Sequence, residues 1–147
     1  TFSACFGEPF MPMHPGVYAD LLSNKMAEHG STAWLINTGW SGGSYGVGNR
    51  MKIKYTRAML NAALNGELEN VDFEIDPRFG FAIPKTCPGV PSDVLNPRQT
   101  WNNPEEYDKT ANRLADMFNE NFKRYENGVS EDVNAVSPRP MTASTNS

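Results

Sequence analysis

The sequence feature that most restricts the fold is a glycine-rich segment in residues 39–50. Five glycines fall within it, at Gly39, Gly42, Gly43, Gly46 and Gly48. Glycine loses more conformational freedom on folding than any other residue, and it weakens the interior of a helix or strand. The segment is therefore predicted to be a loop, with regular elements before and after it.

This loop has two interpretations. Glycine clusters accompany many phosphate sites because backbone N–H groups can cradle an anion only where side chains leave room. Gly43 and Gly48 have the spacing of a P-loop, but Asn49 replaces its lysine and Arg50 its magnesium-binding hydroxyl. The dinucleotide fingerprint also fails, since position 51 is Met51. A mobile surface loop and an anion-contacting loop both stay open, and Arg50 favours the second because its guanidinium matches phosphate oxygens.

Helices are predicted on both sides of the loop. The first begins at Pro15 and stops at Gly30, and it carries apolar residues at helical spacing: Val17, Leu21, Leu22 and Met26. The second covers 57–64, with Thr56 as its N-cap and an Asn-Gly pair at 65–66 as its end. Thr56 is also a candidate ligand contact, because it lies at a helix N-terminus.

The clearest helix comes last. Asn103 is a favourable N-cap, Pro104 suits the first helical position, and Glu106 stands where a capping box places a carboxylate. Gly128 is the predicted end. One apolar face is expected, formed by Tyr107, Ala111, Leu114, Phe118, Phe122 and Tyr125.

Strands are predicted to be short. Residues 33–38 are apolar and lie between glycines, which is typical of a buried strand. Residues 51–55 alternate apolar and polar side chains, and 79–83 form a strand that Pro84 halts. Five prolines between 77 and 97 argue against long regular elements there. The mixture of elements predicts an α/β fold.

Charge and hydropathy exclude several classes of protein. A net charge of −4 provides no basic field for general nucleic-acid binding, although a nucleotide can still be held by local donors. The apolar runs are too short to span a bilayer, and no secretion signal opens the chain. We therefore expect neither nucleic acid nor a membrane as a partner.

The cysteines, histidines and chain ends carry weaker signals. Cys5 and Cys87 lack CxxC spacing, which favours a reduced cytosolic setting over a single disulfide. His14 and His29 show no metal-binding pattern and are interpreted as surface histidines. The chain opens without Met, and we interpret it as part of a longer protein. Residues 129–147 are rich in Ser, Thr, Asn and Pro, so a disordered tail is expected there.

Several fragments follow one another in an order that is specific to one enzyme family. They are TFSACFG at 1–7, WLINTGW at 34–40, GGSYGVGNRMKIKYTRA at 42–58, FAIP at 81–84, CPGVP at 87–91 and LNPR at 95–98. This order resembles the ATP-dependent phosphoenolpyruvate carboxykinases over roughly residues 1–126. The resemblance implies the C-terminal portion of their mixed-sheet, ATP-binding domain at 1–128, with a long C-terminal helix.

The resemblance also implies an activity and a site. The family is a cytoplasmic group of gluconeogenic enzymes that convert oxaloacetate and ATP to phosphoenolpyruvate, ADP and CO2. By its pattern, Arg50 contacts the nucleotide phosphates, Met51 borders the adenine and Thr56 bonds near the base or ribose. Phe10 is a further candidate for the adenine pocket. The residues that perform catalysis, hold oxaloacetate and bind Mg2+ or Mn2+ lie upstream in the family, so none is expected in this chain.

Three hypotheses follow. In the first, the chain is part of a carboxykinase and needs the missing N-terminal portion for activity. In the second, it is a non-catalytic module that at most holds nucleotide. In the third, its apolar surfaces serve assembly only.

Overall fold

The computed structural model describes residues 7–141 and combines helices with very short strands. The helices are α1 (Pro15–His29), α2 (Ile53–Leu64), α3 (Ser92–Leu95), α4 (Pro104–Phe122) and α5 (Glu131–Ala135). Single turns of 3-10 helix cover Glu8–Phe10, Pro97–Thr100 and Glu126–Gly128. The strands are β1 (Trp40–Ser41), β2 (Asn49–Arg50), β3 (Phe73–Ile75) and β4 (Ala82–Pro84).

The strands form two separate antiparallel pairs. β1 pairs with β2, and Trp40 stands opposite Arg50 in the register. β3 pairs with β4, with Glu74 opposite Ile83. The predicted α/β character is thus present in its coarse form, as helices with small antiparallel sheets.

Two helix boundaries agree with the local chemistry of the sequence. α1 ends at Gly30, which adopts the left-handed conformation with φ of 60° and donates its N–H to the carbonyl of Met26. α4 begins at Asn103, whose side-chain oxygen accepts from the N–H groups of Glu105 and Glu106 at 2.9 and 3.4 Å. These contacts satisfy backbone groups that have no partner inside the helix.

The start of α2 and the end of α4 differ from the predictions. α2 begins at Ile53, so Thr56 lies inside its first turn and is not the N-cap. Lys52 occupies that position and makes no side-chain cap. The prediction of an extended segment at 51–55 is therefore wrong from residue 53 onward, because α2 begins there. α4 ends at Phe122, and Gly128 closes a separate 3-10 turn instead.

The expected strand at 33–38 is also wrong. Within residues 7–141, this segment belongs to no strand, and Leu35 is 80% exposed. Trp34 alone reaches the core and stacks on Phe73 with 6.2 Å between ring centroids. A strand needs a neighbouring strand to accept its backbone hydrogen bonds, and no described strand pairs with this segment.

The core is small and centres on α2. Its buried members are Ala62, Leu68, Cys87 and Val90. On α4, Ala111 and Ala115 are buried, whereas Leu114 is exposed. The apolar face predicted for α4 therefore reaches the interior only in part.

Residues 129–141 follow the end of α4 and contact it again. They contain α5 and then return to α4, where Asn112 donates its side-chain N–H to the carbonyl of Met141 at 2.7 Å. The N–H of Arg139 donates to the carbonyl of Arg78 at 2.8 Å. Residues 142–147 lie outside the described part, and the division into a domain at 1–128 and a tail stays a prediction.

The length and hydropathy of the helices indicate whether any of them could cross a membrane. Among residues 7–141, no helix combines the length and the apolar character that crossing a bilayer requires.

Candidate functional site

The glycine-rich loop is a hairpin closed by β1 and β2. Its N–H groups at Val47 and Gly48 both donate to the carbonyl of Ser44, at 3.0 and 2.9 Å. A Cβ built on Gly48 would come within 2.7 Å of the carbonyl oxygen of Ser41. These two amides are used inside the loop and are therefore not available to an anion.

Arg50 and Met51 leave this hairpin together but meet different surroundings. Arg50 is exposed on β2 and forms no ion pair with another described residue. Met51 is only 8% exposed, and its N–H donates to the carbonyl of Gly39 at 2.7 Å. Two adjacent residues thus differ in exposure, since the Arg50 side chain is exposed and the Met51 side chain is buried.

Met51 lines a cleft of about 880 Å³. Aromatic and aliphatic side chains form most of the wall, including Trp34, Ile36, Met59, Phe73, Phe79 and Phe81. The start of the glycine-rich loop, at Gly42 and Gly43, also borders it. A cleft of this volume and apolar lining is of the size that small-molecule sites have.

Of the four predicted site residues, only Met51 lines this cleft. Thr56 is half-buried in the first turn of α2, where its N–H donates to the carbonyl of Lys52 at 3.2 Å. Phe10 is 88% exposed on the first 3-10 turn. The structure therefore brings Met51 to the cleft, whereas Arg50, Thr56 and Phe10 are not among the residues that line it.

A basic surface surrounds the start of α2. It consists of Arg50, Lys52, Lys54 and Arg57, all exposed and without a carboxylate partner among residues 7–141. The positive end of the helix dipole lies at the same place and also favours anions. Sequence reasoning named only Arg50, although the recurrence of basic residues at 50, 52, 54 and 57 was visible as a charge pattern.

A polar network links α4 to Arg78 and Arg98, and the sequence did not predict it. The buried Arg78 donates to Asp108 and Asn112, both at 2.8 Å. Asp108 also accepts from Arg98, with the Nη2–Oδ2 distance at 3.0 Å. The Arg98 hydrogen bond holds the pKa of the Asp108 carboxyl below its usual value, and Arg78 adds to this effect. Its members lie up to 34 residues apart in the sequence, so no local motif indicated it.

The His, Cys, Asp and Glu side chains are the candidates for metal binding. Within residues 7–141, no group of three or more His, Cys, Asp or Glu side chains is arranged to hold a metal ion. His14 accepts a hydrogen bond from the N–H of Gly16 at 3.1 Å and packs against Tyr125. His29 lies 3.8 Å from Glu28 on the surface. Burial raises the pKa of the Cys87 thiol, and Cys5 lies outside the described residues.

The sequence matches the model of one known protein family. The family model described as phosphoenolpyruvate carboxykinase matches residues 1–93. This range contains the hairpin, Arg50, Met51 and Thr56, and it ends inside α3.

Similar curated proteins come from several bacteria. The phosphoenolpyruvate carboxykinase (ATP) of Thermus thermophilus is 55% identical over 139 residues, which cover 95% of this chain and 26% of that protein. The protein of the same name from Pelobacter propionicus is 56% identical over 133 residues, or 90% of this chain and 25% of that one. Phosphoenolpyruvate carboxykinase (ATP) 2 of Moorella thermoacetica is 54% identical over 138 residues, which cover 94% of this chain and 26% of that protein. The chain spans about a quarter of the length of these relatives.

Proposed function

Since the chain belongs to the family of the ATP-dependent phosphoenolpyruvate carboxykinases, we propose that it supplies part of the ATP site of such an enzyme. The complete enzyme converts oxaloacetate and ATP to phosphoenolpyruvate, ADP and CO2. Its expected setting is the cytoplasm, in gluconeogenesis. The observation that carries this proposal is that an exposed arginine, Arg50, and a buried methionine, Met51, follow one another at the end of the glycine-rich hairpin.

The chemistry of the two side chains suits an adenine nucleotide. Met51 is buried in an apolar wall and offers a polarisable surface to a purine ring. Arg50 is exposed, unpaired among the described residues and beside three further cations, so it can take the phosphate charge. Thr56 completes the proposed site with a contact near the base or ribose. These roles are proposals for the complete enzyme.

The same proposal extends to the fold. The two small antiparallel pairs are proposed to be pieces of a larger mixed sheet in the ATP-binding domain, of which this chain is the C-terminal part. The partner is then the N-terminal portion of the same enzyme. The cleft and the unpaired segment 33–38 support this proposal, because both leave apolar groups without a neighbour.

This chain contributes binding and orientation. Phosphoryl transfer depends mainly on the position of the reacting groups and on neutralising charge, and Arg50 serves the second need. Mg2+ or Mn2+ neutralises phosphate charge when it is bound, but the described residues do not fit a metal. The metal ligands, the oxaloacetate site and the reacting groups are therefore proposed to lie outside this chain.

The alternatives are less well supported. A non-catalytic nucleotide module and a purely assembly-related remnant both remain compatible with an apolar cleft. Identity of about 55% to relatives named as the enzyme does not favour either of them.

The substitution Arg50→Ala in the complete enzyme tests the site. Loss of a charge-assisted contact to phosphate costs roughly 1.5–3 kcal/mol, so the KM for ATP is expected to rise about tenfold or more. The KM for oxaloacetate is expected to change less than twofold. Steady-state kinetics with each substrate varied in turn measures both.

Arg113→Ala is the matched control, since it removes an exposed arginine on α4 that lies outside the basic surface and forms no ion pair with another described residue. This control is expected to keep the parent KM for ATP. An Arg50→Ala enzyme whose KM for ATP and kcat both equal those of the parent would remove Arg50 from the site.

A further inference from the structure

The glycine-rich hairpin is held from outside by the 3-10 turn Pro97–Thr100. A Cβ built on Gly42 would lie 2.8 Å from the carbonyl oxygen of Thr100, closer than real Cβ atoms approach. Gly42 also has φ of +79°, which side chains other than glycine rarely adopt. The first residue of the loop is therefore in direct contact with this turn.

The turn is itself tied to α4 by a two-point ion pair. Arg98 lies within the turn, and its Nε and Nη2 donate to the Asp108 carboxylate at 3.1 and 3.0 Å. A guanidinium that contacts both oxygens of a carboxylate restricts orientation as well as distance. Asn96 caps the turn by accepting from the N–H of Arg98 at 3.0 Å.

Asp108 is held in place from its other side. Arg78 is 7% exposed and donates to the Oδ1 atom of Asp108 at 2.8 Å. The ring of Tyr107 lies 5.8 Å from the Arg78 guanidinium carbon and packs edge-on against Trp101, the residue after the turn. The carboxylate that anchors the turn is therefore held by Arg78 as well as by Arg98.

We propose that the Arg98–Asp108 pair is a positioning device for the nucleotide site described above. It holds the turn, the Thr100 carbonyl of the turn fixes Gly42, and Gly42 continues from the strand on which Trp40 pairs with Arg50. A displacement at Gly42 is therefore transmitted to β2. Neither Arg98 nor Asp108 contacts nucleotide in this scheme. The inference rests on the proposed function, because it concerns the same site.

Arg98→Ala in the complete enzyme is the first test. Arg98 is about half exposed, so its removal frees the turn without opening the interior. We expect the KM for ATP to rise about fivefold, because small misplacements of binding groups weaken a positioned contact. The KM for oxaloacetate, and kcat at saturating ATP, are expected to stay within about twofold. Arg98→Lys should recover part of the loss, since a single ammonium replaces one of the two contacts.

Arg113→Ala is the matched control. Arg113 is an exposed arginine on α4 that forms no ion pair with another described residue. This variant is expected to leave the KM for ATP unchanged.

A pair of glycine substitutions tests the contact itself. Gly42→Ala introduces both the backbone strain and the collision with Thr100, whereas Gly46→Ala introduces strain at φ of +88° into open space. The KM for ATP should rise more in Gly42→Ala than in Gly46→Ala. This comparison also tests the positioning role of the turn if the Arg98→Ala variant fails to fold.

The outcomes separate the two proposals. If Arg98→Ala lowers the melting temperature but keeps the parent KM for ATP, and Gly42→Ala behaves like Gly46→Ala, the positioning role is overturned. If Arg50→Ala raises the KM for ATP in the same experiments, the proposed function survives that result. If Arg50→Ala also has no effect, both proposals fail.

Discussion

Asp108 illustrates how single residues acquire their properties from distant neighbours. Its carboxylate accepts hydrogen bonds from Arg98 and from the buried Arg78. Both arginines favour the charged form, and the pKa of the carboxyl is therefore lowered in the folded protein. A lowered folded-state pKa means that the carboxylate stabilises the fold above its unfolded pKa of about 3.9, and that this contribution is lost as the pH falls.

The pH dependence of stability tests this residue. Asp108→Asn is expected to lower the urea midpoint clearly at pH 7, where the parent carboxylate is charged. The difference from the parent should shrink as the pH falls from about 5 through the lowered folded pKa, because the parent carboxyl then becomes neutral too. Asp116→Asn on the same helix is the control, since Asp116 has no ion pair among the described residues. A difference that stays constant down to pH 2 would contradict the assignment.

At the scale of the element, α4 is defined by its first residue. Asn103 accepts from two backbone N–H groups that otherwise lack a partner, and Pro104 needs no such partner. Both features are local, which is why the sequence predicted this helix start correctly. The capping carboxylate expected of Glu106 instead pairs with Lys109 at 3.2 Å.

Removal of the cap measures its worth. Asn103→Ala is expected to destabilise the protein by about 1 kcal/mol, the usual cost of replacing a favourable N-cap with alanine. Asn102→Ala is the matched control, because Asn102 is the exposed preceding residue and makes no hydrogen bond to another described residue. Urea unfolding of both variants at the same pH gives the comparison. Equal midpoints for the two variants would show that the cap contributes nothing.

At the scale of the whole molecule, many large apolar side chains of residues 7–141 are exposed. Leu22 on α1 is 62% exposed, Leu35 is 80% exposed, and the cleft beside Met51 has mostly apolar walls. Large contiguous apolar surfaces on soluble proteins mark sites where another part of a protein packs. This agrees with a chain that spans about a quarter of its relatives.

Dye binding tests that exposure. The isolated 147-residue chain is expected to bind the dye ANS strongly, because the surface that the rest of the enzyme would cover stays open. The complete enzyme, at equal molar concentration, is the control and should bind far less. A cooperative melt of the isolated chain without ANS fluorescence would contradict the proposal that this surface packs against another part of the enzyme.

Three helix boundaries that depend on adjacent residues were predicted correctly, although the N-cap of α2 was not. Each of these boundaries is set by capping residues within one helical turn. They are the end of α1 at Gly30, the end of α2 at the Asn-Gly pair and the start of α4 at Asn103. The family was also readable, because ordered motifs such as WLINTGW survive as contiguous letters. The roles of Arg50, Met51 and Thr56 stay predictions until the kinetics are measured.

The sequence by itself determined the loop at the glycines, the helices with local caps and the family. Only the tertiary structure decided that residues 33–38 have no strand beside them, that 129–141 return to α4, and that Arg98 reaches Asp108. The physical reason is distance along the chain. Caps and turns are closed by neighbours in sequence, whereas a ladder, an ion pair or a cleft wall depends on which remote segment arrives beside it.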